Sequence, residues 1–310
     1  MGSLIRTIEK DDISQIRQLL NKVFNNENYK ELTRLGGMTN RSYKVTKEDG
    51  TEYLVRLPGE GTEKIINRSE EKKSTELACR LEIDSELLHF GEDGTKIMRF
   101  IHNPQTMNEA VMRKKENIFN AAKIFSKLHN CGEDTGVCFE VFEMATLYEK
   151  IINENGVAIY PDYKLVKQTV IDIKQGIDKM GFSPKVPCHN DSLVENWVLD
   201  SENKLYLIDW EYAGMNEAMW DLACLSIEAN YNYENDKDLL FAYHDRDVTH
   251  EEYRKFMAAK IYVDYLWTLW GLTRVTFDGV FMQEYADMRY VRLKSNIDVY
   301  MRESTKEIVI

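Results

Sequence analysis

The stretch Cys188-His189-Asn190-Asp191-Ser192-Leu193-Val194-Glu195-Asn196-Trp197 constrains this chain more than any other. Leu205-Tyr206-Leu207-Ile208-Asp209-Trp210-Glu211 follows it closely. The first segment carries an Asp and an Asn, and in the second an Asp closes an apolar β-run. A lone His-Asn-Asp is compatible with a turn and a helix cap, because Asn and Asp favour both. The downstream Asp at a strand end changes the reading. In this order the two segments supply one carboxylate to orient or deprotonate a hydroxyl, and two oxygen ligands for a hard cation.

Phosphoryl transfer needs these parts: a base for the attacking hydroxyl, and an Asn and an Asp for the magnesium ions on the nucleotide phosphates. The protein-kinase pattern is H-R-D, four intervening residues, N, then D-F-G. Here the chain reads H-N-D, four intervening residues, N, then I-D-W-E. The departures point away from protein kinases and toward kinases of small molecules.

The chain has 310 residues, 43% of them hydrophobic, enough for one large domain or two lobes. Its net charge of −12 argues against nucleic acid and against anionic membrane surfaces as partners. Five cysteines without a C-x-x-C pair predict reduced thiols in a cytoplasmic protein. The N-terminal residues quickly become charged, and no run is apolar enough to span a bilayer.

Helical spacing of Ile13, Ile16, Leu19, Leu20 and Val23 predicts a helix over 11–26. Strands are expected at Glu31–Leu35, Ser42–Thr46 and Glu52–Leu57, with Asp49-Gly50 closing a hairpin. A helix from Asn67 or Ser69 to Leu81 and strands near Glu86–Phe90 and Thr95–Phe100 follow. After His102-Asn103-Pro104 helical patterns dominate, interrupted by the His189 segment and the Leu205–Ile208 strand. The fold class is α+β: a small β-rich N-terminal lobe (1–102) and a larger, mainly helical C-terminal lobe (103–310), the architecture a nucleotide cleft requires.

On the nucleotide side, Gly36, Gly37, Thr39 and Asn40 lie between two predicted strands, where glycines admit phosphates and polar side chains add donors. An ordinary hairpin turn would look similar. Arg56 stands among apolar strand neighbours, where kinases use a cation to grip phosphates and to pair with a helix Glu. Stepping back along the helix from Leu81, Ala78, Leu77 and Ser74 selects Glu70 as partner, with Glu71 the alternative. Arg99, Phe100 and Ile101 complete the nucleotide-facing set where the sheet passes into the hinge.

On the acceptor side, Asp221 could brace the catalytic loop. Glu228 and Tyr233 bring a carboxylate and an aromatic ring close in sequence. Trp267 and Trp270 share one helix face, and Tyr285 follows. Such a group suits either a helix core or a cation–π cage for a quaternary ammonium.

Taken together these residues resemble the choline/ethanolamine kinases, most closely the bacterial choline kinases of the aminoglycoside-phosphotransferase-like, protein-kinase-like superfamily. The resemblance rests on Gly36-Gly37-Met38-Thr39-Asn40, Tyr53-Leu54-Val55-Arg56-Leu57-Pro58-Gly59, the His189-Asn190-Asp191 segment with Asn196, Ile208-Asp209-Trp210-Glu211-Tyr212-Ala213, and Trp267 with Trp270. It implies ATP and Mg²⁺ as cofactors and choline as the phosphoryl acceptor, giving phosphocholine and ADP. Asp191 then resembles the catalytic base, with His189 and Glu211 beside it in the catalytic set. Asn196 and Asp209 resemble the metal ligands, and Arg56 the phosphate-binding residue. Glu228, Tyr233, Trp267, Trp270 and Tyr285 resemble the choline pocket. Trp210 stands where Phe is usual. The competing readings are a kinase of ethanolamine, thiamine or an aminoglycoside, and an inactive nucleotide-binding scaffold.

Overall fold

The computed structural model describes residues 8–36, 40–59, 66–181 and 183–303. The chain divides into two compact units, Met1–Thr106 with Trp197–Tyr212, and Met107–Asn196 with Ala213–Ile310.

The first unit opens with helix α1 (Lys10–Phe24), which ends at Asn25 in the left-handed conformation, its N–H bonded to the Asn21 carbonyl. Strands β1 (Glu31–Arg34), β2 (Arg41–Thr46) and β3 (Glu52–Leu57) form an antiparallel meander. The Asp49-Gly50 signal holds: Gly50 has φ +84°, which suits a residue without Cβ, and its N–H bonds to the Lys47 carbonyl at 3.0 Å. Helix α2 (Arg68–Arg80) is capped by Asn67, whose side chain accepts the Ser69 N–H. Strands β4 (Leu87–Phe90) and β5 (Lys96–Arg99) complete a sheet of order β1-β2-β3-β5-β4.

Strand alternation gives this sheet two chemically different faces. Tyr43, Val45, Val55, Leu57 and Ile97 form one hydrophobic core with Ile16, Leu19 and Leu20 of α1. Arg56 and Lys96, opposite each other on β3 and β5, occupy the other face.

The two-residue strand β6 (Gln105–Thr106) ends the first segment of this unit. The second unit begins with α3 (Glu109–Met112), α4 (Lys115–His129), α5 (Val141–Glu154) and α6 (Tyr163–Asp178), then β7 (Lys185–Cys188), which leads into the His189 loop. After a 3-10 turn at Val194–Asn196 come β8 (Trp197–Leu199) and β9 (Leu205–Leu207), with β8 paired between β9 and β6. The Leu207 N–H also bonds to the Ile83 carbonyl at 3.1 Å. A single cut after residue 102 would leave 197–212 with the helices; these backbone bonds join it to the first unit.

Strand β10 (Gly214–Glu217) pairs with β7, and α7 (Ala218–Glu228), α8 (Tyr233–His244), α9 (His250–Asp278) and α10 (Val280–Glu303) follow. Between Phe256 and Thr273 helix α9 is buried nearly all round because it packs against α5, α6, α7 and α10 together. Its start is a capping box between Thr249 and Glu252. Among the described residues no helix is long and apolar enough to cross a membrane.

Candidate active site

In the first unit the site is built around Glu71. Arg56 reaches its Oε1 at 2.5 Å and Lys96 the same oxygen at 2.8 Å, while Arg68 takes Oε2 at 2.7 Å. Burial would raise the Glu71 pKa, but Lys96 and Arg56 outweigh it and hold the carboxyl down at about 2. The helix partner of Arg56 is therefore Glu71 and not Glu70. On α2 the buried line runs through Glu71, Ser74, Thr75 and Ala78, so the step back from Ser74 is three residues rather than four.

Arg56 also donates from Nη2 to the Gly94 carbonyl at 3.1 Å, and its Nη1 lies 3.3 Å from Asp209 Oδ1. Gly94 has φ +88°, and a Cβ there would sit 2.5 Å from the Arg68 side chain, so only glycine fits. Asp209 follows β9 with φ +69°, an uncommon conformation for a non-glycine residue. Trp210 fills a core position and donates from Nε1 to the Leu207 carbonyl at 3.1 Å, so it packs as a Phe would while adding a bond. Glu211 accepts from Asn40 Nδ2 at 3.1 Å, and Asn40 Oδ1 lies 3.3 Å from the Gly59 N–H. Burial and the Asp209 charge push Glu211 up to about 7. Asp84, deeply buried, is likewise raised by burial to about 7.

Other nucleotide-side expectations fare unevenly. Gly37 and Thr39 lie outside the described residues. Gly36 has open space where a Cβ would project, so no steric demand for glycine exists there. Phe100 donates its N–H to the Glu52 carbonyl at 3.2 Å and lies under the Lys44 ammonium; Ile101 is half-buried. Arg99 does not join Arg56. Opposite Tyr53 in the β3–β5 register, it stacks on that ring and pairs with Glu86, on the face that carries Val55 and Ile97.

In the second unit Asp221, fully buried at the start of α7, organises the loop after β7. Its carboxylate accepts the N–H groups of His189 at 2.8 Å and Asn190 at 2.7 Å, and it pairs with His129 Nε2 at 3.0 Å. Asn190 takes φ +68°, and its carbonyl accepts from Trp220 Nε1 at 2.9 Å. His189 is fully buried, and its Nδ1 faces the Asp191 N–H at 3.3 Å. It therefore positions the Asp191 backbone and is not a group that meets substrate, which corrects its place in the catalytic set. Asn196 donates from Nδ2 to the Asp191 carbonyl at 2.9 Å. That bond orients the amide so that its oxygen, the hard ligand atom, is the end left to serve a cation.

The aromatic residues of α9 and α10 form an angled wall. Trp267 and Trp270 meet edge to face with centroids 5.9 Å apart, and Trp270 meets Tyr285 the same way at 5.8 Å. Gly271 permits this: a Cβ there would lie 2.8 Å from the Tyr285 ring. Burial raises the Tyr285 hydroxyl pKa; Arg289 opposes this, while the charges of Glu228 and Asp191 add to it. Asp191 thus lies within electrostatic reach of the aromatic wall.

Two expectations change here. Tyr233 is 51% exposed and meets Tyr253 edge to face in a shallow cleft with Lys237, Phe241 and Asp247. Tyr253 precedes Trp267 on α9 by about 21 Å of helix rise, so Tyr233 is no part of the wall. Glu228 is not an uncompensated charge. Arg289, 1% exposed, donates to it at 2.6 Å, contacts Asp264 at 3.3 Å and lies over the Tyr285 ring at 4.6 Å. Sequence reasoning missed Arg289 and Lys96. Neither carries a local signal, since Lys96 faces Arg56 only through the pairing of β3 with β5, which are not consecutive strands.

The model of the choline/ethanolamine kinase family matches residues 33–266. A crystal structure of a choline/ethanolamine kinase family protein from Mesorhizobium loti superposes with TM-score 0.82 at 29% identity, covering 94% of this chain and 97% of that one. Choline kinase LicA from Streptococcus pneumoniae gives 0.81 at 30% identity, covering 93% and 99%. LicA in complex with AMP gives 0.79 at 29% identity, covering 93% and 98%. The fold is the protein-kinase-like α+β fold expected from the sequence. The chain belongs to the choline/ethanolamine kinase family and is a small-molecule kinase.

Proposed function

We propose that this protein is an ATP-dependent choline kinase, transferring the γ-phosphoryl group of Mg·ATP to choline to give phosphocholine and ADP. The observation that carries the choice of acceptor is the aromatic wall of Trp267, Trp270 and Tyr285, with the Glu228 carboxylate already held by Arg289. A trimethylammonium has no N–H to donate and gains from ring faces. A primary ammonium would need an acceptor, and Glu228 is occupied.

In this reading the Asp191 carboxylate orients the choline hydroxyl and takes its proton as the oxygen attacks. Its charge also draws the cation. Asp221 and His189 hold the Asp191 backbone in place. Arg56, fixed by Glu71, grips the nucleotide phosphates, and the Asn40–Glu211 bond ties Asn40, next to the Gly36-Gly37 segment, to the strand-end carboxylates. The AMP complex of LicA supports a nucleotide site in the family. Asn196 and Asp209 are hard oxygen donors of the type magnesium prefers, and they would hold it. A bound magnesium ion would offset the negative charge of the nucleotide phosphates. The protein acts in the cytoplasm in this reading.

The test is ATP-dependent product formation with choline, ethanolamine, thiamine and kanamycin, with and without Mg²⁺. Choline should give the highest kcat/KM, and omission of Mg²⁺ should abolish turnover. A preference for any other acceptor replaces the choline assignment; absence of turnover with all four refutes it.

A further inference from the structure

We propose that Lys96 is a positioning residue of the nucleotide site: by sharing Glu71 with Arg56, it keeps one arm of the Arg56 guanidinium turned away from Glu71, toward Asp209, where a phosphate can recruit it. The inference rests on the nucleotide reading above but not on the identity of the acceptor.

The β3–β5 register sets Arg56 directly opposite Lys96, so both side chains emerge on the same face. Like charges facing each other across two strands repel. Both are buried, at 4% and 3% exposure, where an unneutralised charge is costly. Glu71 resolves this by presenting one oxygen to both, at 2.5 Å and 2.8 Å, and its other oxygen to Arg68 at 2.7 Å. The Phe90 ring lies 5.5 Å from the Lys96 ammonium and favours the charged form.

The consequence falls on Arg56. A guanidinium alone with a carboxylate takes both oxygens with its two-armed fork. Here Lys96 and Arg68 compete for them, and Arg56 gives Glu71 only Nη2, which also donates to the Gly94 carbonyl. Nη1 is turned instead toward Asp209, 3.3 Å away. Without the ammonium, only Arg68 still shares the carboxylate, so the pull of Glu71 on the Arg56 fork rises and draws Nη1 away from Asp209. Lys96 thus acts through Arg56 and need not touch the nucleotide.

The experiment uses the full chain with Lys96→Met and, as a second variant that is neutral but still polar, Lys96→Gln. Calorimetry with ATP and with adenosine separates phosphate recognition from general integrity, and thermal melting reports folding. Each neutral variant should bind ATP at least about tenfold more weakly, as expected for the loss of a charge-assisted bond. Adenosine affinity and the KM for the amino alcohol should stay within about twofold of wild type, the range of ordinary context effects. Lys96→Arg should recover most of the ATP affinity. Unchanged ATP affinity in a folded neutral variant overturns the proposal, as does an equal loss for ATP and adenosine, which marks a merely structural lysine. If Lys96→Met does not fold, Lys96→Gln decides by the same criteria. A failure of the nucleotide reading is distinguishable, because it appears as absent ATP binding in the wild type.

Discussion

The two units each bury an arginine–carboxylate cluster, and the clusters are built on opposite plans. In the first, three cations, Arg56, Arg68 and Lys96, converge on the single carboxylate of Glu71. The neighbouring acids Glu211 and Asp84 are pushed toward neutrality, up to about 7, by burial. In the second, Arg289 and Arg292 face Asp264, and Arg289 also faces Glu228, so two cations meet two anions beside an aromatic wall. A cation-rich cluster suits an anion such as a nucleotide phosphate. A balanced cluster roofed by rings suits a ligand that asks for π-faces and offers no hydrogen bonds. In the proposed function one arginine would meet the ligand's charge, and the other would neutralise a carboxylate beside the aromatic wall.

The largest expected effect lies outside both clusters and calibrates them. Asp191→Asn should lower turnover by at least about two orders of magnitude while ATP binding persists, because orientation and proton acceptance are lost together. Steady-state kinetics with calorimetry checks this, and near-normal turnover would remove Asp191 from its role.

Breaking the balanced cluster comes next. Arg289→Met removes the cation that Glu228 faces, while Asp264 keeps Arg292, and should destabilise the fold by about 3–5 kcal/mol. In the fraction that folds, the released Glu228 should narrow the gap between choline and ethanolamine. Denaturant melts and paired kcat/KM values test both parts; an unchanged ratio would mean Arg289 does not shape the pocket.

The cation-rich cluster should show in the pH dependence of stability. Lys96 and Arg56 hold the Glu71 carboxyl down at about 2 in the fold, against burial and below its ordinary 4.5. A depressed folded pKa gives stabilisation that is complete above about pH 4.5 and is lost as pH falls toward 2, amounting to about 3 kcal/mol. Unfolding curves from pH 7 to pH 2 should therefore lose less stability in Glu71→Gln than in wild type, although the variant starts lower. Parallel losses would mean Glu71 does not carry the acid sensitivity.

The smallest effect concerns the wall. In Gly271→Ala the new methyl would lie 2.8 Å from the Tyr285 ring, forcing α9 and α10 apart. Overpacking of this kind costs about 1–3 kcal/mol, and the KM for choline should rise while that for ATP holds. A crystal structure of the variant with Tyr285 unmoved would contradict the account.

What was legible in the sequence was mostly local. The His189-to-Asn196 spacing, the Asp49-Gly50 turn and the strand Glu52–Leu57 depend on neighbours a few residues away. The misses come from distance. Helical spacing identifies a face but does not choose between steps of three and four, which separate Glu71 from Glu70. Tyr233 is near Glu228 in sequence, but the turn between α7 and α8 carries it to the Tyr253 cleft. Arg289 and Lys96 have no local signature at all. Their partners lie 61 and 25 residues away in sequence, and only the packed helices and the strand register bring them together. The segment 197–212 was read as part of the helical lobe because pairing with β6 is likewise non-local.

The central claim is that the aromatic wall, freed of competing charge, selects a methylated cation. Its most direct measurement is kcat/KM for choline and ethanolamine in the wild type and in Trp270→Ala. Each ring face contributes on the order of 0.5–2 kcal/mol to a bound quaternary ammonium. The account predicts that wild type prefers choline, and that Trp270→Ala loses several-fold more with choline than with ethanolamine, mainly through KM. A wild-type preference for ethanolamine, or equal losses for both amines, would contradict it.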